Sequence, residues 1–187
     1  MKYSEIPREV LHMTLTIRDI LRRAKAPLAA VLAAGSLYGG LVLSAGAAAY
    51  APMSAPEYQF LAELNADRVA NGQPSLAANG VLSGLARQRS QQMLASGQFS
   101  HYDAAGNLIF AGLLNGVGFP YAFAGENLAE NNYGWDQSLN VANTQLMNSA
   151  THRANILNSR FDEAGIGIAG PGPKGEYYYT QLFAQAR

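Results

Sequence analysis

The sequence predicts an α+β domain in which helices cover an antiparallel sheet. In the first half of the globular region, apolar residues recur at the three- and four-residue spacing of amphipathic helices. Between residues 166 and 183 the period becomes two, and a Pro-Gly-rich turn at residues 171–175 divides the alternating run. Helices first and a β-hairpin last favour one antiparallel sheet packed against helices.

The first two helices have clear start and stop signals. Ser54 with Glu57 three residues later is a capping box, and an Asn-Gly pair at residues 71–72 ends the helix that follows. Asn79 is the predicted cap of a second helix, which ends at Gly97.

The middle of the domain is less regular. Glycines interrupt residues 102–124, where we expect one short helix over residues 108–114. Residues 125–129 are interpreted as a defined segment that is too brief, and too polar at Glu126, for a core strand. Another helix is expected from Asp136, and Ser149 is the expected cap of a further turn containing His152.

Residues 1–49 are typical of a secretory signal. A basic cluster precedes the uncharged run 27–49, which ends in three alanines, so cleavage is expected after Ala49, with Met13 as an alternative start. The rival reading is an uncleaved membrane anchor, because 23 uncharged residues are about long enough to span a bilayer. Both place the rest of the chain, a short leader at residues 50–56 and a domain at 57–187, in a secreted or periplasmic setting.

Composition narrows the range of partners. The chain has no cysteine, so the domain must be held together by packing and not by disulfides. Residues 50–187 carry seven basic and ten acidic side chains, a net charge of −3. This balance argues against nucleic acid and against anionic lipid surfaces. We expect a monomer that contacts a membrane only if the N-terminal segment is retained.

Three short polar clusters carry the candidate chemistry: Phe-Ser-His at residues 99–101, Gly-Glu-Asn at 125–127, and His-Arg-Ala-Asn-Ile-Leu at 152–157. His101, Glu126 and His152 are imidazoles and a carboxylate, the donor types that zinc prefers, and such groups also move protons. The blander alternative is structural. In that reading His101 interacts with the end of a helix, His152 bonds to Glu126 or to a carbonyl, and Arg153 pairs with an acidic residue at 162 or 163. Asn127 is interpreted as a backbone anchor.

The order of these clusters resembles one family. Leu-Asn-Ala-Asp-Arg at residues 64–68, the three clusters, Gly-Ile-Gly-Ile at 165–168 and Tyr-Thr-Gln-Leu-Phe at 179–183 are similar to the CAP superfamily, the cysteine-rich secretory, antigen 5 and pathogenesis-related domain, in its short bacterial form. The resemblance covers residues 57–187 and implies a three-layer α-β-α sandwich. It also implies a cleft built from histidines and glutamates.

Within that resemblance His101 and Glu126 match the cleft residues of the family, and His152 matches the bacterial His-Arg-x-Asn-Ile signature. Two features depart from the eukaryotic pattern: Tyr178 replaces a histidine, and no carboxylate lies near Ser149. The expected catalytic and metal-binding set is therefore His101, Glu126 and His152, with a divalent cation such as Zn²⁺ as the cofactor.

Three kinds of function follow from this reading. The first is metal-assisted hydrolysis of peptide or cell-wall material, with Glu126 as a ligand or general base. The second is a non-enzymatic module that binds a small molecule, lipid, glycan, peptide or protein, and the third is a structural envelope protein. A serine hydrolase is disfavoured, because no Gly-x-Ser-x-Gly element is present.

Overall fold

The computed structural model describes residues 51–186, so the expected signal at residues 1–49 lies outside the described part. Among the described residues, no helix is both long enough and apolar enough to cross a membrane. In chain order the elements are α1 (Ala55–Ala70), β1 (Ala77–Ala78), α2 (Gly80–Ser96), α3 (Ile109–Gly116), β2 (Tyr121–Asn131), α4 (Trp135–Asn148), α5 (Ala150–Ile156), β3 (Glu163–Ala169) and β4 (Tyr177–Ala186).

One mixed sheet, with strand order β1-β3-β4-β2, forms the middle of the domain. The predicted hairpin is confirmed, since β3 pairs antiparallel with β4, and β2 pairs antiparallel with the other side of β4. β1 was not predicted; it is a two-residue strand that runs parallel to β3 at the opposite edge of the sheet. The sheet is therefore antiparallel over its three long strands.

Helices cover both faces of this sheet, which confirms the α-β-α sandwich. Alternate residues of β4 point to opposite faces, so Phe183 and Leu182 belong to different cores. One core joins α1, α4 and α5 to the sheet, and the other joins α2 and α3 to it. Buried residues of the first core include Phe60, Leu64, Leu139, Leu146, Ile156, Ile166, Tyr179 and Phe183. Those of the second are Leu82, Leu85, Ala86, Phe110, Leu114, Leu182 and Ala184.

The predicted helix boundaries are confirmed where a capping residue marked them. Ser54 and Glu57 form the capping box at the start of α1. The Asn79 side chain accepts hydrogen bonds from the amides of Val81 and Leu82, at 2.9 and 3.1 Å. Gly97 ends α2 in the left-handed region with φ = 66°, where a residue without a Cβ is favoured.

The interpretation of residues 125–129 as too short and too polar for a core strand is wrong. They lie within β2, whose 11 residues make it the longest strand of the sheet. Residues 125 to 129 are all buried, including Glu126. The strand tolerates this carboxylate because a buried arginine from α2 pairs with it, a long-range contact that the local pattern does not encode.

Two glycines of β3 allow α2 to lie directly on the sheet. A Cβ at Gly167 would overlap the main chain of Ala86 and Arg87, and one at Gly165 would overlap the main chain of Leu82 and Ser83.

We expect Gly167→Ala to destabilise the domain by about 1–3 kcal/mol, because overpacking would force α2 away from β3. Urea unfolding of both proteins measures this. Gly112→Ala is the matched control, since a Cβ there meets no atom within 4 Å. An unchanged unfolding free energy for Gly167→Ala would contradict the close approach.

Candidate functional site

The fold brings together the three residues predicted from the sequence. His101 lies in the loop after α2, Glu126 in the middle of β2, and His152 on α5. The His101 Nδ1 atom is 2.7 Å from Glu126 Oε2, and the two imidazole ring centroids are 6.5 Å apart at an interplanar angle of 40°. His101 keeps 35% of its side chain exposed, whereas Glu126 keeps 1%. The site is therefore a buried carboxylate beneath two imidazoles that border solvent.

Arg89 is the member of this site that sequence reasoning missed. It lies on α2 with 2% exposure, and its Nε donates to Glu126 Oε1 at 2.9 Å. A second guanidinium nitrogen, Nη2, donates to the carbonyl of Ser100 at 2.6 Å. One guanidinium thus joins the helix, the strand and the loop that carries His101. The sequence feature that could have identified Arg89 as buried is its position on the apolar face of α2, three residues after Ala86 and four before Met93.

The structural alternative for His101 as a helix-end residue is wrong. The Gly97 amide bonds to the Met93 carbonyl at the end of α2, while the His101 ring bonds to Glu126.

The expected ion pair of Arg153 is also absent among residues 51–186. Arg153 donates to the Met147 carbonyl at 3.1 Å, and Glu163 instead accepts from Asn79 at 2.9 Å.

Asn127 fixes α5 against β2, as the anchor interpretation predicted. Its fully buried side chain donates to the main-chain carbonyl of His152 at 3.0 Å and to Gln181 at 3.1 Å. Asn155 donates to Asn127 Oδ1 at 2.9 Å and to the main-chain carbonyl of Glu126 at 3.3 Å. The main chain of His152 is therefore held by Asn127, and its side chain makes no hydrogen bond to Glu126.

The ring of His152 titrates below its usual range. Burial lowers the pKa of His152, and the nearby His101 imidazole lowers it further. Tyr178 is 4% exposed, and burial together with the charge of Glu130 raises its pKa.

We expect acid to destabilise the domain partly through His152. Because its folded pKa lies below the unfolded value of about 6.5, its contribution to stability is present above that pH and is lost as the pH falls through it. Urea unfolding at neutral and mildly acidic pH should show a larger loss for the wild type than for His152→Gln. Equal losses in the two proteins would contradict this.

The metal-binding role of His101, Glu126 and His152 stays a prediction. Within residues 51–186, no group of three or more His, Cys, Asp or Glu side chains is placed to hold a metal ion. Both oxygens of Glu126 already have a partner, since Oε1 accepts from Arg89 and Oε2 lies at His101. A cation ligated by Oε1 would compete with a buried guanidinium for that oxygen. The catalytic roles of the three residues stay predictions.

Three cavities border this region. One of about 330 Å³ lies beside His152 and is also lined by Phe99, Leu128, Ala129 and Leu146. A second of about 500 Å³ lies under the Ser100 loop, and a third of about 470 Å³ is lined by polar residues including Glu130 and Lys174.

The α-β-α sandwich, with a buried glutamate at His101 and the His152 ring close to His101, defines the class of domain. The chain belongs to the CAP family, the cysteine-rich secretory protein family, whose model matches residues 61–183.

Two Bacillus proteins are similar to this chain, and a Borrelia protein shares its fold. YkwD of Bacillus subtilis, described as an uncharacterized protein, is 31% identical over 131 residues, covering 70% of this chain and 48% of YkwD. An extracellular protein of Bacillus anthracis containing an SCP domain is 25% identical with a TM-score of 0.59, over 72% of this chain and 45% of that one. This chain thus spans about half the length of either Bacillus protein. An outer surface protein of Borrelia burgdorferi has a TM-score of 0.63 at 14% identity, over 73% of this chain and 97% of that chain.

Proposed function

We propose that this domain is an exported, non-enzymatic module that binds its ligand in the cleft between His101 and His152. The observation that carries the proposal is that Glu126 is buried, with 1% side-chain exposure, and that each of its oxygens has a protein partner, Arg89 for one and His101 for the other. A general base needs a lone pair directed at substrate or water. Here both carboxylate oxygens face the protein, so Glu126 serves to orient His101.

The serine side chains near the cleft support binding over hydrolysis. Ser100 Oγ donates to the Tyr102 carbonyl and accepts from the Tyr102 amide, both at 3.0 Å. Ser149 Oγ lies 3.2 Å from the hydroxyl of Thr151. A nucleophile needs a base within hydrogen-bond reach, and neither hydroxyl is hydrogen-bonded to an imidazole among residues 51–186.

Two observations support an exported location. The N-terminal segment has the composition of a secretory signal. The Bacillus anthracis relative is described as an extracellular protein. Secreted or periplasmic placement would present the cleft to peptides, glycans or lipids of the cell envelope.

A turnover assay tests the non-enzymatic part of the proposal. Fluorogenic peptides and purified peptidoglycan are incubated with the wild type and with Glu126→Gln, with and without added Zn²⁺. We expect the two proteins to give the same background rate. Turnover by the wild type that Glu126→Gln abolishes would sink the proposal, provided that the variant remains folded by circular dichroism.

A divalent cation held by the two imidazoles is the second candidate function. The Glu126 contact to His101 Nδ1 favours it, because carboxylates support metal-bound histidines in this way. The two rings, whose centroids are 6.5 Å apart, would have to move closer to share one ion. Two nitrogen ligands without a third protein ligand should bind weakly.

Calorimetric titration of Zn²⁺ into EDTA-treated protein, alongside His101→Ala and His152→Ala, tests this cation site. Binding that disappears in both variants would support it. Binding that survives in both would place the cation elsewhere.

A further inference from the structure

The cavity beside His152 lies along β2, an outer strand of the sheet. β2 is the last strand in the order β1-β3-β4-β2, and β4 occupies one of its sides. An edge strand presents unpaired amide and carbonyl groups along its other side. Which residues present them follows from the hydrogen-bond alternation across the sheet.

The alternation can be followed from β1 to β2. The Ala164 carbonyl accepts from the Asn79 amide on the β1 side of β3, so Ala164 turns its main chain away from β4. Its antiparallel partner Phe183 therefore directs its own amide and carbonyl toward β2, where it pairs with Gly125. The next residue of β2, Glu126, must then point its main chain outward.

An independent contact supports this assignment. Asn155 of α5 donates to the Glu126 carbonyl at 3.3 Å from beyond the sheet. With a period of two, the main-chain groups of Leu128 and Glu130 share the outward edge with Glu126. Among residues 51–186, neither residue has a main-chain hydrogen bond to a side chain or to any segment outside the sheet.

These two residues line the cavity beside His152. Leu128, Ala129 and Glu130 form one wall of its volume of about 330 Å³. Leu128 is 2% exposed, and no main-chain hydrogen bond joins it to a segment outside the sheet within residues 51–186, so a ligand would reach its outward amide and carbonyl through this cavity. Buried main-chain groups are nearly always hydrogen-bonded, which makes this cavity a place for a ligand with amide groups.

The side chains around the cavity indicate what such a ligand carries. Phe99 is 47% exposed, and its ring centroid lies 6.4 Å from that of Tyr178. Tyr178 in turn packs in one cluster with the buried Leu128. Glu130 is exposed and forms no ion pair within residues 51–186. Leu128 and Glu130 lie two residues apart on one face, so they would meet two alternate side chains of a paired strand.

We propose that the cleft binds an extended peptide as an added strand on β2, with an apolar side chain opposite Leu128 and a basic one two residues along, opposite Glu130. This inference rests on the proposed binding function and names its ligand class. Main-chain hydrogen bonds supply affinity in such strand addition, and alternate side chains supply specificity.

The test is an NMR titration of ¹⁵N-labelled protein beginning at residue 50, which contains the whole sheet and both main cores. The probe is the blocked peptide Ac-Ala-Leu-Ala-Lys-Ala-amide, added to millimolar concentration. We expect the amide signals of Leu128 and Glu130 to shift and their hydrogen exchange to slow. N-methylation of the Leu amide of the peptide should weaken binding by about tenfold or more, because it removes a ladder donor without changing a side chain.

Glu130→Gln should weaken binding by about two- to fivefold, as for an exposed ion pair, while Asp136→Asn on exposed α4 should not. Shifts confined to His101 and His152, or binding indifferent to N-methylation, would overturn strand addition and leave the binding module intact. The absence of any shift would likewise overturn it for this peptide class. Cleavage of the peptide would instead refute the non-enzymatic function.

Discussion

Arg89→Met is expected to destabilise the domain by about 3–5 kcal/mol, because it leaves a buried carboxylate without its cation. Glu126 has 1% side-chain exposure, and the guanidinium is its partner at 2.9 Å. The same change removes the 2.6 Å bond to the Ser100 carbonyl, so the loop carrying His101 loses a fixed point. Urea unfolding measures the free energy, and the imidazole signals of His101 report its environment.

A double-mutant cycle separates the ion pair from the loss of packing. Arg89→Met combined with Glu126→Gln should be less destabilised than the sum of the two single variants, since the second change removes the orphaned charge. Exposed Arg153→Met is the matched control and should change stability little. Additive effects in the cycle would show that Arg89 and Glu126 are not coupled, contrary to the structure.

Local signals were enough to predict most of the helices and the hairpin. Capping at Ser54 and Asn79, and the left-handed Gly97, depend on neighbouring residues, and the alternation over residues 166–183 reports one buried face at a time. Local signals did not predict the strand β2. Its buried glutamate, Glu126, is paired with an arginine 37 residues away, and no local period records that pairing.

The candidate site divides in the same way. His101, Glu126 and His152 were predicted from their residue types and from the family resemblance, and the fold brings them together. Arg89 was missed because a single arginine on an apolar helical stripe has no distinctive spacing. Its guanidinium is the partner of Glu126 Oε1, a contact that the sequence analysis did not include.

Arg68 is the residue for which we expect the other large effect. It is fully buried on α1, and burial lowers the pKa of its guanidinium. Its partners are main-chain carbonyls, not carboxylates. Nε donates to the Pro74 carbonyl at 2.8 Å, and Nη1 donates to the carbonyls of Ile156 at 2.6 Å and Asn158 at 3.0 Å. The guanidinium thus closes the last turn of α5, the helix that carries His152.

Arg68→Met should lower the free energy of unfolding by about 3–5 kcal/mol, because it leaves three carbonyls without this donor. Each carbonyl that stays buried and unsatisfied costs about 1–3 kcal/mol. Arg68→Lys should be nearly as damaging, because an ammonium cannot reproduce the planar fork that spans these carbonyls. Urea unfolding and amide hydrogen exchange across α5 measure both variants. Asn127 holds α5 near His152, at the end away from Arg68. We therefore expect amide exchange in the variants to accelerate most near Ile156. A variant with normal stability and unchanged protection there would show that the guanidinium is not what secures this helix.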